Sequence, residues 1–402
     1  MNEGTNPMSD DLLMMRIDDD DYHEFRDPLR ALCDGFPGTY WRALEDKPAD
    51  QRYPAEFVDA LMGSGFLGAL IPEEYDGAGL SLRIAAVILE TIHSTSCNAG
   101  AAIGQMYLSD ILVRHGTDKQ KQTYLRAIAA GDVRFLASAI SETETGDDLA
   151  QMATTAEKRG DVYVVNGAKQ WANNALHSDL LLLLARTSPG TPDNPTAGLT
   201  AFLVDVNTAI KGGMSGQAID SMNNDGASDL VFDGLELPDD AVIGEVGKGF
   251  DYYRELAQLE CILYAACASG DSAFFSERAV NYAKERVVFG RPIAYNQGIQ
   301  FPISKAYVEV QGAKLIGNKA AAVYDSGQQP GPLASMAKHM ACEAAWQMAD
   351  ACFTTHGGFA FAREYDIERK WRDARVMQIT PQGSATLLSD IAVNDLGMPG
   401  LS

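Results

Sequence analysis

Asp161-Val162-Tyr163-Val164-Val165-Asn166-Gly167 is the stretch from which the fold of this chain is read. Three of its residues are β-branched valines, which suit a pleated, half-buried surface. It closes on Asn-Gly, the dipeptide favoured in tight hairpin turns. The run therefore predicts a strand that reverses at Asn166-Gly167. Moving outward, the segments 180–185, 200–206 and 229–237 predict further strands, with Gly and Pro punctuating them across 189–198 and at Pro238. No helical periodicity falls between them, so the region reads as an antiparallel β unit and not as an alternating dinucleotide-binding fold.

The texture on either side is helical. In Pro54-Ala55-Glu56-Phe57-Val58-Asp59-Ala60-Leu61-Met62 a proline opens the first turn, and Phe57, Val58, Leu61 and Met62 share one face. Gly63 and Gly65 close that segment. A second helix is predicted after Thr117, with Asp118 placed to satisfy first-turn amides. Further on, Ala279, Tyr282, Ala283 and Arg286 share a helix face, and Gly290 with Pro292 signals a stop. The expected fold class is multi-domain α+β: a flexible acidic leader over 1–21, an N-terminal helical domain over 22–133, a middle antiparallel β domain over 134–243 and a helical C-terminal part over 244–402.

Composition narrows the function classes. The chain has 402 residues and a formal net charge of −23, which argues against a nucleic-acid partner because phosphate binding needs a basic footprint. No apolar run approaches the ~20 residues that span a bilayer. The acidic run Asp18–Asp21 is unlike a secretory or transit peptide, so a cytoplasmic location is expected. The six cysteines include no C-x-x-C pair and no histidine at ligand spacing, so neither zinc nor a disulfide framework is expected.

Six short strings, in order along the chain, carry a family resemblance. They are Gly65-Phe66-Leu67-Gly68 leading into Ile71-Pro72-Glu73-Glu74-Tyr75-Asp76-Gly77-Ala78-Gly79; His115-Gly116-Thr117-Asp118-Lys119-Gln120-Lys121; Asn166-Gly167-Ala168-Lys169-Gln170-Trp171; Ile243-Gly244-Glu245-Val246-Gly247-Lys248-Gly249-Phe250; Arg286-Val287-Val288-Phe289-Gly290-Arg291-Pro292-Ile293 with Asn296-Gln297; and His356-Gly357-Gly358 through Glu364-Tyr365 to Arg372-Asp373-Ala374-Arg375. Together they resemble the acyl-CoA dehydrogenases. The resemblance implies a C-terminal four-helix bundle, FAD as cofactor, an acyl-CoA substrate in fatty-acid metabolism, an electron-transfer flavoprotein as electron acceptor, and assembly as a homotetramer or homodimer. It also implies the reaction: an α-proton goes to a glutamate and a β-hydride to flavin N5.

The same resemblance assigns flavin contacts. Ser141 stands where a hydroxyl bonds the isoalloxazine, Trp171 beside the ring, and Asn173 near N5. Arg286, Phe289 and Gln297 would reach the adenine and diphosphate end from a neighbouring subunit. Gly357, Gly358, Gly383 and Ser384 would give close backbone approach. Read without that resemblance, Trp171 is equally a core aromatic and Arg286 a helix-end cation. Within Ser141-Glu142-Thr143-Glu144-Thr145-Gly146-Asp147-Asp148 the chain departs from the family pattern, Thr143 replacing proline and Asp147 a serine.

The base is displaced as well. Many members of the family place a glutamate at the position held here by Gln382, in Thr380-Pro381-Gln382-Gly383-Ser384, and glutamine cannot accept a proton. Isovaleryl-CoA and long-chain acyl-CoA dehydrogenases instead take the base from a bundle helix. That position, thirty residues before Gly290, is Glu260. Its neighbours Leu259, Cys261, Ile262 and Leu263 are apolar, which predicts a partly buried carboxylate. The Gln382 backbone N–H would still bond the thioester oxygen. Cys261 replaces an arginine common in relatives. A carrier-protein thioester, a flavin monooxygenase on the same fold and a non-catalytic flavin-binding paralogue remain open, as does the acyl group itself.

Overall fold

The computed structural model describes residues 22–146, 148–224 and 226–400; the 1–21 leader and Asp147 lie outside them. The longer helices are α1 (His23–Asp34), α2 (Gly38–Glu45), α3 (Ala55–Gly63), α4 (Leu82–His93), α5 (Ile103–His115), α6 (Gly249–Glu285), α7 (Gln297–Asp325), α8 (Pro332–His356), α9 (Ile367–Met377) and α10 (Ser384–Asn394). The strands are β1 (Ala137–Ala139), β2 (Thr155–Arg159), β3 (Val162–Asn173), β4 (Leu180–Arg186), β5 (Leu199–Asp205), β6 (Met214–Ala218) and β7 (Ala227–Pro238), followed by a small hairpin of β8 (Val287–Val288) and β9 (Arg291–Pro292). Helix, sheet and helix follow one another as the sequence predicts. The described residues pack into two compact units, one within 39–80 and 99–257, the other within 22–38, 81–98 and 258–400.

The first unit holds the seven-stranded sheet. β2–β3, β3–β7, β4–β5 and β6–β7 are antiparallel, as expected, but β1 and β2 both run parallel to β4, so the sheet is mixed. Parallel neighbours need a long connection, which residues 140–179 supply between β1 and β4. Every residue from Leu180 to Ala185 is buried, which explains a continuous apolar run where a one-sided strand would alternate. Leu181, Leu183, Phe202, Val204, Leu230 and Phe232 lie at the centre of this core.

The turn expected at Asn166-Gly167 lies elsewhere. β2 and β3 reverse at Gly160-Asp161, since Arg159 pairs with Val162 and Gly160 takes a φ of 60°. Asn166 and Gly167 sit inside β3 opposite a bulge: Val165 pairs with Leu235 and Asn166 with Asp233, leaving Gly234 unpaired at φ 65°. The Asn166 carboxamide oxygen accepts the Gly234 N–H at 2.9 Å. The Asn-Gly pair here bends the sheet and does not reverse the chain.

Among the helices of this unit, α3 buries Phe57, Val58, Leu61 and Met62, the face read from the sequence. The helical run that starts at Asp118 is capped by Thr117 and not by Asp118: the Thr117 hydroxyl accepts the Gln120 N–H at 3.2 Å, and the Gln120 side chain accepts the Thr117 N–H at 2.9 Å.

The second unit is helical. Phe274, Phe275, Ile303, Met348, Cys352 and Ile367 form its core. Ala334, Ala337, Ala341 and Ala345 are buried on α8, and such small side chains let neighbouring helices approach closely. α6 stops at Glu285, so Arg286 falls just beyond the helix, ahead of the β8–β9 hairpin that contains Gly290 and Pro292. Asp271 is fully buried between Lys370, whose ammonium pairs with it, and His93 Nδ1 at 3.1 Å. The Lys370 ammonium also donates to the His93 and Cys97 carbonyls at 3.1 and 2.9 Å, tying α9 to α4. With Lys370 and His93 beside it, the Asp271 carboxyl stays below the usual carboxylate range although burial opposes this.

Candidate active site

Glu260 lies on α6, 6 % exposed, between Leu259 and Cys261, both buried. The residue after it reaches the displaced glutamate position directly, because the Cys261 thiol donates to the Gln382 carboxamide oxygen at 3.5 Å. Burial pushes the Cys261 thiol up to about 12, so at neutral pH it is a protonated, unreactive donor. The segment carrying Gln382 is also held from α8. The ammonium of Lys338, itself fully buried, donates to the Thr380 carbonyl at 3.2 Å and the Gln382 carbonyl at 2.5 Å. The Gln382 backbone N–H meets no acceptor among the described residues. Gly383 precedes α10 as its N-cap and Ser384 opens the helix, its hydroxyl donating to Glu343 at 3.2 Å.

Elsewhere in the helical unit, the Arg286 guanidinium lies 6.0 Å from the Phe359 ring and makes no ion pair among the described residues. This brings Arg286 beside the Gly357-Gly358 turn. Tyr282 stacks on His356 at 4.2 Å just before that turn. Gly357 takes a φ of 59°, and a Cβ at either glycine would meet no atom within 4 Å, so the backbone there faces open space. Phe289 is wholly exposed at a φ of 50°, and Gln297 is exposed at the start of α7.

In the β unit, Ser141 and Trp171 come together because the Gln170 N–H donates to the Ser141 carbonyl at 2.9 Å. Trp171 is 55 % exposed at a φ of 58°, which excludes the core-aromatic alternative. It sits at a break in the β3–β7 ladder: Lys169 pairs with Leu230 but Ala172 with Ser228. A bulky residue at positive φ is strained, and strain of this kind collects at functional sites. Asn173 ends β3 opposite Ala227. Behind these residues the buried Lys169 ammonium donates to Glu142 at 2.9 Å and to the Ile140 carbonyl at 2.8 Å. The Glu142 carboxylate also accepts the Ala153 and Thr154 N–H groups at 2.7 and 2.9 Å. Burial opposes ionisation of Glu142, but the Lys169 charge and these donors outweigh it and hold the carboxyl below its ordinary range.

Residues 19–132 match the acyl-CoA dehydrogenase N-terminal domain, 137–235 the middle domain and 247–393 the C-terminal domain. A "3-(aryl)acrylate reductase" of Clostridium sporogenes is 35 % identical over 83 % of this chain and 88 % of its own length. The chain belongs to the acyl-CoA dehydrogenase family. An "Acyl-CoA dehydrogenase" of Bacillus subtilis is 31 % identical over 84 % of this chain and 88 % of its own length. The crystal structure of acyl-CoA dehydrogenase from Geobacillus kaustophilus superposes with a TM-score of 0.86 at 26 % identity, covering 95 % of this chain and all of that one. The chain is thus an acyl-CoA dehydrogenase-family oxidoreductase.

The residues present fit the flavin dinucleotide that the family implies. Trp171 offers an exposed aromatic face, Arg286 a cation with no carboxylate partner among the described residues, and Gly357-Gly358 an open backbone. Lys338 escaped the sequence reading. Its signal was a lysine set on the buried alanine face of α8, beside Ala334, Ala337 and Ala341.

Proposed function

We propose that this protein is an FAD-dependent acyl-CoA dehydrogenase that desaturates an acyl-CoA at the α,β position, with Glu260 as general base. The observation that carries this reading is the Gln382 N–H, which has no acceptor among the described residues and lies on a residue in contact with Cys261, the neighbour of Glu260. Glu260 immediately precedes Cys261 on α6, and in this reading it is the carboxylate that takes the α-proton of a thioester whose oxygen accepts that N–H.

In this reading the α C–H bond breaks and its proton moves to Glu260. A carboxylate withdrawn from water is a stronger base than one in solution. The electron pair spreads onto the thioester oxygen, where the Gln382 N–H stabilises it, while a hydride departs from the β-carbon. FAD, when bound, supplies the acceptor for that hydride. In this reading Ser141, Trp171 and Asn173 would contact the flavin ring, and Gly357, Gly358, Gly383 and Ser384 would give the cofactor close backbone approach. Arg286, Phe289 and Gln297 would serve a neighbouring subunit.

The reading includes a homo-oligomer, tetramer or dimer. Support comes from the β8–β9 hairpin and α7, where Phe289, Phe301, Tyr307 and Val308 all lie exposed. It also includes an electron-transfer flavoprotein as acceptor and a cytoplasmic location. No helix among the described residues is long and apolar enough to cross a membrane.

The test is anaerobic bleaching of the oxidised flavin band by straight, branched and aromatic acyl-CoAs, the last included because of the aryl-named relative. Some thioester is expected to bleach the wild type, and Glu260→Gln to slow that by at least about 100-fold. Bleaching that survives the substitution would remove Glu260 from the role. A wild type with bound FAD that no acyl-CoA bleaches would overturn the reading as a whole.

A further inference from the structure

Lys338 is a buried cation on α8 whose hydrogen bonds reach the segment that carries Gln382. Its side chain is fully buried, and its ammonium makes no ion pair among the described residues. An ammonium taken out of water without a counter-ion is costly, and what offsets the cost here is two backbone carbonyls and the Tyr264 ring 5.8 Å away. Both of its hydrogen bonds go to backbone carbonyls, and these belong to residues 380 and 382, on either side of Pro381.

We propose that Lys338 is a positioning residue that aims the oxyanion donor; the proposal rests on the acyl-CoA dehydrogenase reading above. The Thr380 carbonyl fixes the peptide plane before Pro381, and the Gln382 carbonyl fixes the plane after Gln382. The plane between them carries the Gln382 N–H. Proline's ring already restricts one of the dihedrals that set this plane. With both flanking planes bound to one ammonium, little freedom remains for the N–H direction. The Cys261 thiol holds the Gln382 side chain as well, so the residue is tied at both backbone and side chain. Pre-aimed donors are effective because no reorganisation is needed as charge develops on the oxygen.

The experiment separates proton abstraction from hydride transfer. 3-Thiaoctanoyl-CoA carries sulfur in place of the β-methylene and so has no β-hydride to lose, while its α-protons remain exchangeable. The FAD-loaded enzyme is incubated with it in D2O, and deuterium entering the α-position is followed by mass spectrometry. Affinity for the same analogue is measured by titration. The wild type is expected to catalyse exchange. Lys338→Met should slow it by about 10- to 100-fold, a part of the loss seen when an oxyanion donor is deleted outright, while affinity changes by less than about threefold. Lys338→Gln, which keeps a neutral donor and a polar core, should fall between the two and serves if the methionine variant melts early.

Exchange in both variants within twofold of the wild type overturns the proposal. So does a loss of affinity that matches the loss of exchange, since that marks a merely structural lysine. A wild type that binds the analogue without exchanging it brings down the dehydrogenase reading and this proposal with it, a result distinct from the other two.

Discussion

At the scale of single residues, the site joins groups that cannot titrate near neutrality to one region that can. Cys261 is locked as a thiol and the Gln382 carboxamide does not titrate, so the proton transfer assigned to this corner falls to Glu260. His356, next to Gly357-Gly358, behaves differently. It is buried, its Nδ1 lies 2.8 Å from the Cys352 carbonyl, and Tyr282 stacks on its ring. Burial depresses its pKa below the ordinary 6.5, Arg278 adds to this, and the Cys352 carbonyl opposes it. A histidine whose folded pKa is depressed binds fewer protons folded than unfolded. Its contribution is therefore constant above about pH 6.5, and stability falls as pH drops through the folded value. The urea midpoint should decline between pH 7 and 5.5, and His356→Gln, which cannot titrate, should flatten part of that slope. A slope unchanged by the substitution would assign the loss to other groups, of which His177, also depressed by burial, is the next to examine.

Elements meet here through close backbone approach as much as through side chains. Gly270 on α6 lies against α4: a Cβ there would sit 2.3 Å from the Glu90 carbonyl oxygen and 2.7 Å from His93 Cβ. A backbone oxygen in a helix cannot move aside cheaply, so Gly270→Ala should cost about 1–3 kcal/mol or more. Gly317 on α7 meets nothing within 4 Å, and Gly317→Ala should stabilise by roughly 0.5–1 kcal/mol on helix propensity. Chemical denaturation of the two variants checks both signs. These glycines also show what was legible. Strands over 180–185 and 200–206 were plain as largely apolar runs, buried throughout but for Asp205, and 229–237 and the α3 face because period and burial agree there. Asn166-Gly167 misled because both residues are needed inside the strand, Asn166 to accept the Gly234 N–H of the facing bulge and Gly167, at a φ of 146°, to leave room for Thr154. Local sequence cannot distinguish those needs from a turn. Thr117 and Asp118 are both acceptable caps, and only the reach of Gln120 decides between them. For the site, Glu260 came from the family resemblance, and its burial was legible from its apolar neighbours. Lys338 depends on a contact between residues more than forty positions apart, which no window of sequence contains.

On the scale of the whole molecule, a net charge of −23 favours dispersal, yet α7 and the preceding hairpin present large apolar side chains to solvent. A second copy of the chain is the occupant assigned to that face. Phe301→Asp combined with Tyr307→Asp should shift sedimentation towards a smaller species while leaving the far-ultraviolet dichroism unchanged. Unaltered sedimentation would place the subunit contact elsewhere.

The interleaving of the two compact units has a consequence for biosynthesis. α1 and α4 leave the ribosome early, but the helices that share their unit begin at residue 258, roughly 160 residues after residue 98. At about 5–20 residues per second the wait is on the order of 10–30 s. Through that interval α4, whose Leu82, Ile88, Leu89 and Ile92 are fully buried in the finished protein, lacks its partner α7. A nascent chain in that state is a natural client for chaperones. A message cut anywhere between those segments yields a product that lacks most of one unit, with α4 stranded outside any core.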